Sequence, residues 1–218
     1  MRNALRIFLQ AAWLTLASAG LWVLAQTSDY FQSYPGGFTQ AAYRITTEGL
    51  EIPITLRFQI EPAAGELLTV TTTNQVTARR EDLEIGVSNG VAQAQLILQD
   101  EAVRSLLENK RNLQPQTLYI LPGGARFTSA ARETVAGVAV LCGTLTKPEK
   151  PNQRTFLAIA EEPTLPFPPW IQQEEERGSG GTPSSLRFCS SLLPLTLSLG
   201  RRYVILFELE LTEFEHRD

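Results

Sequence analysis

Apolar residues recur along most of this chain with a period of two. Over residues 51–61, Ile52, Ile54, Leu56, Phe58 and Ile60 alternate with polar residues and Pro53. That rhythm, in β-branched and aromatic side chains, predicts a strand with one buried face. Residues 40–48 carry Tyr43, Ile45 and Thr47 in the same rhythm, and Glu48-Gly49 predicts a hairpin between the two strands. After a turn at Pro62-Ala63-Ala64-Gly65, the Thr- and Val-rich run 67–78 reads as a third strand. Leu83, Ile85 and Val87 then alternate up to Asn89-Gly90. Asn-Gly suits a two-residue hairpin, whose turn positions need positive φ, so residues 91–99 read as the returning strand.

One helix interrupts the strands. Asp100 can cap it, Glu101 suits its first turn, and Val103, Leu106 and Leu107 share a face. Pro115 stops any continuation. Strands resume at 117–121, near 126–128, and over 137–146 and 154–160. In a closing strand, 202–214, Tyr203, Ile205, Phe207, Leu209 and Leu211 alternate with Glu208, Glu210 and Thr212. The expected fold is mainly β: a curved antiparallel sheet, a half-barrel or open barrel, with one short helix.

Residues 161–185 have no period. Pro163, Pro166, Pro168 and Pro169 surround Leu165, Phe167 and Trp170, which predicts an extended crossing with bulky anchors. Phe167 and Trp170 are the candidate ligand-contacting residues, either as a lid over an apolar cavity or as a plug at the open edge of the sheet. The acidic Glu174-Glu175-Glu176 and the Gly/Ser-rich stretch that follows read as a flexible, solvated loop near residues 172–185.

The N-terminus changes the picture. Arg2 and Arg6 precede an uncharged, apolar run over residues 7–25, with small-residue cleavage patterns ending at Ala19 and at Ala25. Residues 1–25 are therefore expected to be a signal peptide, or an uncleaved membrane anchor, ahead of a single β-rich domain over 26–218. Membrane contact is expected only through residues 7–25, if they stay uncleaved, and the expected location is periplasmic or secreted, or alternatively the inner membrane through an N-terminal anchor. Removing Arg2 and Arg6 from 19 basic residues leaves 17 against 23 acidic ones, a net of −6. Such a domain has no electrostatic reason to bind nucleic acid. Export also gives Cys142 and Cys189 an oxidising setting. A disulfide between them would close a loop of about 48 residues, a constraint of roughly 4 kcal/mol on the chain-entropy argument.

Motifs for chemistry are missing. His216 is the single histidine and is read as a solvated residue in a frayed tail. There is no nucleophile elbow, phosphate loop or zinc pattern, so no catalytic residue, metal or cofactor is expected.

The stretch Asp29-Tyr30-Phe31, with Pro35-Gly36 and Tyr43-Arg44-Ile45, resembles the opening of uncharacterised bacterial exported envelope proteins. It departs from them at Gln32, where proline is usual, and at Ala41, near an expected tryptophan. The resemblance implies a half-barrel like that of periplasmic lipoprotein carriers, and it carries over no functional residue. The sequence reading is thus a non-enzymatic envelope protein that binds an apolar ligand, a lipid or a protein segment in the concave face of its sheet. A structural or protein-interaction module of the envelope is the alternative, and a hydrolytic enzyme comes third.

Overall fold

The computed structural model describes residues 34–48, 53–76, 96–179 and 201–218. Gly36–Asp218 form one unit, and Met1–Pro35 a separate one of which only Tyr34 and Pro35 are described. The expected leader, residues 1–25, and the hairpin about Asn89-Gly90 lie outside the described residues.

Among the described residues nine strands form one curved antiparallel sheet. They are β1 (Phe38–Thr47), β2 (Ile54–Pro62), β3 (Leu68–Gln75), β4 (Leu118–Ile120), β5 (Arg126–Val135), β6 (Val138–Lys147), β7 (Lys150–Ala160), β8 (Trp170–Ser179) and β9 (Arg201–Arg217). Their spatial order is β3-β2-β1-β9-β8-β7-β6-β5-β4, so the sheet is open, with β3 and β4 at its edges among the described residues. The fold expected from the periodicity is the one found.

Register explains which residues form the core. Tyr43 lies opposite Leu56 and Leu211, and Ile45 opposite Ile54 and Leu209. Leu209 in turn faces Ile171, which faces Leu157, which faces Gly143. Paired residues point to the same side of a sheet. One face is therefore a continuous apolar floor, and Tyr43, Ile45, Ile54, Ile171 and Leu209 on it are wholly buried. At Gly143 the floor has no room for a side chain, because the Phe127 ring from β5 lies where a Cβ would be. The β5–β6 hairpin turns through Ala136 and Gly137, both at positive φ (48° and 82°), the geometry of a tight two-residue turn.

The helix α1 (Glu101–Glu108) begins where expected. The Asp100 carboxylate accepts from the Ala102 and Val103 N–H groups at 3.1 and 3.3 Å, and Val103 and Leu106 are buried while Leu107 is half-buried.

Four expectations are corrected. Residues 96–98 are helical instead of belonging to a returning strand over 91–99. A short apolar run does not separate the two periods, and the helical turn buries Ile97. Residues 172–179 are not a solvated loop. They belong to β8, bonded to β7 on one side and β9 on the other, with Glu174 wholly buried; residues 180–185 lie outside the described residues. The strand β9 does not keep one alternation. A register shift between Gln173 and Glu174 leaves Leu206 without a partner on β8, so Tyr203 and Ile205 fall on the opposite face from Phe207, Leu209 and Leu211. Finally, His216 lies in β9 opposite Thr39, and its Nδ1 is 2.9 Å from the Thr39 hydroxyl.

Candidate functional site

The Pro-rich crossing does not act as one unit. Phe167 packs edge-on against Tyr43 and Phe58, with ring centroids 5.5 and 5.9 Å away, and its carbonyl accepts from the Tyr43 hydroxyl at 3.1 Å. It thus lies on the apolar face over β1 and β2. Trp170 is the first residue of β8 and pairs with Glu210, so it projects from the other face. There it is wholly buried, stacks on Phe156 at 6.3 Å, and donates from its indole N–H to Glu208 at 3.3 Å. The two candidate residues therefore do not meet over one cavity.

The apolar face does hold a cavity elsewhere, between α1 and the strands β6–β8. Its volume is about 210 Å³, and Leu96, Ile97, Val103 and Leu145 supply its apolar walls. Asp100, Lys147, Lys150, Gln153, Thr155 and Gln173 complete the lining. The helix end fixes this rim. Asp100 caps α1 with one carboxylate oxygen and pairs with the Lys147 ammonium through the other. Lys147 and Lys150 face each other across the Pro148-Glu149 turn, which brings Lys150 to the same mouth.

Gln153 contributes an unpaired acceptor. Its amide N–H₂ donates to Glu175 at 3.4 Å, while its carbonyl oxygen is buried without a hydrogen-bond partner among the described residues. Hydrogen bonds from Arg177, then from Gln153, hold the Glu175 carboxyl below its usual range. Arg177 also bridges to Glu48 at 2.5 and 2.9 Å, and that carboxylate is the main cause of its raised pKa. This amide geometry and the lysine-lined mouth can take an apolar group below and a hydrogen-bond donor or a negative charge above.

The opposite face carries a buried polar strip. Arg44 pairs with Glu210, Glu208 accepts from Trp170, and Gln172 donates to Glu174 at 2.5 Å. Arg154 pairs with the same glutamate. Cys142 lies on this face too, opposite Ala158, and is wholly buried. No cysteine is free among the described residues; Cys189, the expected partner, lies outside them.

Among the described residues no group of three or more His, Cys, Asp or Glu side chains could hold a metal ion, and no helix is long and apolar enough to cross a membrane. Sequence reasoning missed Lys147, Lys150 and Gln153, since long polar side chains about a Pro-containing turn have the pattern of any exposed hairpin. Asp100 was legible as a cap but not as the partner of Lys147.

No protein-family model matches the chain, and no curated protein does. Among solved structures, the crystal structure of MucB resembles 89% of this chain and 60% of that one, with 11% identity and a TM-score of 0.39. The chain spans less than two thirds of the MucB chain, and a likeness of that degree carries no argument about function.

Proposed function

We propose that this chain is an exported bacterial envelope protein that binds an apolar group, without catalysis, on the α1-covered face of its sheet. The cavity between α1 and strands β6–β8 carries the reading: aliphatic walls from Leu96, Ile97, Val103 and Leu145, with Lys150 at the mouth. Its size narrows the ligand. At about 210 Å³ it is smaller than the roughly 300–1,000 Å³ of pockets that enclose a whole small molecule. It suits the end of one acyl chain, or the aliphatic side chains of a protein segment, with the rest of the ligand outside. Export rests on the apolar run over residues 7–25 and the small residues that end it.

Native mass spectrometry of the protein purified from its own envelope, paired with organic extraction, tests this. The expected result is a mass above that of the bare chain, with a matching extractable lipid or peptide. A clean mass of the chain alone, with nothing extractable, would overturn it.

A second reading, an interaction module, is favoured by β3. This edge strand, Leu68–Gln75, has no charged residue and no proline, and Thr69 through Gln75 are exposed. Such edges take up an extended partner strand unless charge or proline blunts them. On this reading Val70→Lys abolishes co-purification of envelope partners; unchanged partners would rule it out.

A further inference from the structure

We propose that the face of the sheet opposite α1 carries a second site, for a small ligand bearing an oxyanion, a carboxylate or a phosphate. Thr128, Thr144, Thr146, Arg154 and Phe156 line a cavity of about 160 Å³ there. This is room for about five waters by their share of liquid volume.

The strands make this site by register alone. Thr128 lies opposite Thr144. Thr144 is also opposite Phe156, and Thr146 is opposite Arg154. Side chains paired in this way stand about 4.5–5.5 Å apart at Cβ. Three threonines and one arginine from β5, β6 and β7 thus share one face beside the Phe156 ring.

The groups supply donors in excess. Thr144 Oγ1 is buried and has no hydrogen-bond partner among the described residues; buried hydroxyls left in this state are rare and unfavourable. Arg154 uses its Nε and one Nη2 hydrogen on Glu174, and a guanidinium has five N–H donors, which leaves three. Its plane is fixed by the Tyr203 ring, 3.6 Å from its centre. Glu174 offsets the charge of Arg154, but Arg126 stands opposite Thr146 on the same face, is exposed, and forms no ion pair among the described residues. Oriented donors, turnable hydroxyls and one uncompensated positive charge select an acceptor-rich anion. The volume limits it to a small one. This site is on the other face from the cavity beneath α1, so either can fail without the other.

The test uses the full chain with ¹³C-methyl-labelled threonine, titrated with inorganic phosphate and, separately, with acetate, against sodium chloride at matched ionic strength. Saturable shifts of the Thr128, Thr144 and Thr146 methyl signals are expected in at least one arm. The responding arm identifies the anion as phosphate or carboxylate. Thr144→Val should weaken that binding about tenfold, as loss of a hydrogen bond to a charged group does. Arg126→Gln, at an exposed position, should weaken it several-fold and flatten its salt dependence; it decides the question alone if the Thr144 variant does not fold. No saturable shift beyond the chloride control in either arm would overturn the proposal. So would unchanged binding in folded Thr144→Val, or in Arg126→Gln.

Discussion

Arg154 directs two N–H groups, Nε and Nη2, at a single carboxylate oxygen of Glu174, at 2.9 and 2.8 Å, across the β7–β8 pair. Glu174 is wholly buried, and its other oxygen accepts from Gln172. A charge without water must keep its partner. Arg154→Met should therefore destabilise the protein by about 3–5 kcal/mol, the usual effect of leaving one member of a buried pair alone. Urea denaturation would measure it. The double change Arg154→Met with Glu174→Leu should recover much of the loss, because no uncompensated charge remains.

Asp100 has two tasks that substitution can separate. Asp100→Asn keeps an oxygen for the α1 N–H groups but loses the ion pair with Lys147. Asp100→Ala loses both. The alanine variant should lose about 1 kcal/mol more than the asparagine variant, the ordinary worth of an N-cap, in the same urea measurement.

Gly143 is a packing requirement. A methyl group there would overlap the Phe127 ring, so Gly143→Ala should lose roughly 1–3 kcal/mol, as overpacked cores do. Adding Phe127→Leu should recover part of it. A thermal melt that is unchanged in Gly143→Ala would refute this account of the site.

Lys110 gives a pH dependence. Burial pushes its ammonium below the ordinary 10.5, against an opposing pull from Glu162, while its Nζ donates to the Glu162 carbonyl at 3.1 Å. A lysine whose folded pKa is lowered binds its proton less tightly in the folded state. Its penalty on folding is thus present in full below the folded pKa and fades as pH rises toward 10.5. The stability of the protein relative to Lys110→Met should rise as pH rises through that window. Paired urea titrations at several alkaline pH values would check it.

Cys142 and Cys189 are expected to be joined when the protein is taken from its own compartment. Thiol titration under denaturant should then find no free thiol, and reduction should lower stability by roughly 3–4 kcal/mol. Two titratable thiols would show that the bridge does not form.

What could be read from the sequence depended on whether a strand had one wet face. In β2, polar residues intervene between the buried Ile54, Leu56, Phe58 and Ile60, so the period was visible. In β8 both faces are polar beyond Ile171: Glu174 meets Arg154 on one, and Glu175 meets Gln153 on the other. Three consecutive glutamates then look like a loop, because the partners that make them a strand are about twenty residues away in the chain. In β9 the bulge at Leu206 reassigns Tyr203 to the face of Arg154, and nothing in an apolar alternation announces a bulge. The cavity beneath α1 was hidden for a similar reason. Of its apolar walls only Val103 follows from the helix pattern, and much of its polar half comes from the β6–β7 hairpin, which the sequence does not bring toward Asp100.

The strand order has a consequence for how the chain folds. Among the described residues β9 comes after the other eight strands in the chain, yet it lies between β1 and β8. Until it arrives, the early strands β1–β3 and the later β4–β8 share no edge among the described residues, and contacts such as Ile45 with Leu209 must wait for it. Pairings between such distant parts of a chain are slow to form. The described sheet thus stays in two pieces until β9 joins them, and the late pairing is the step that closes its core.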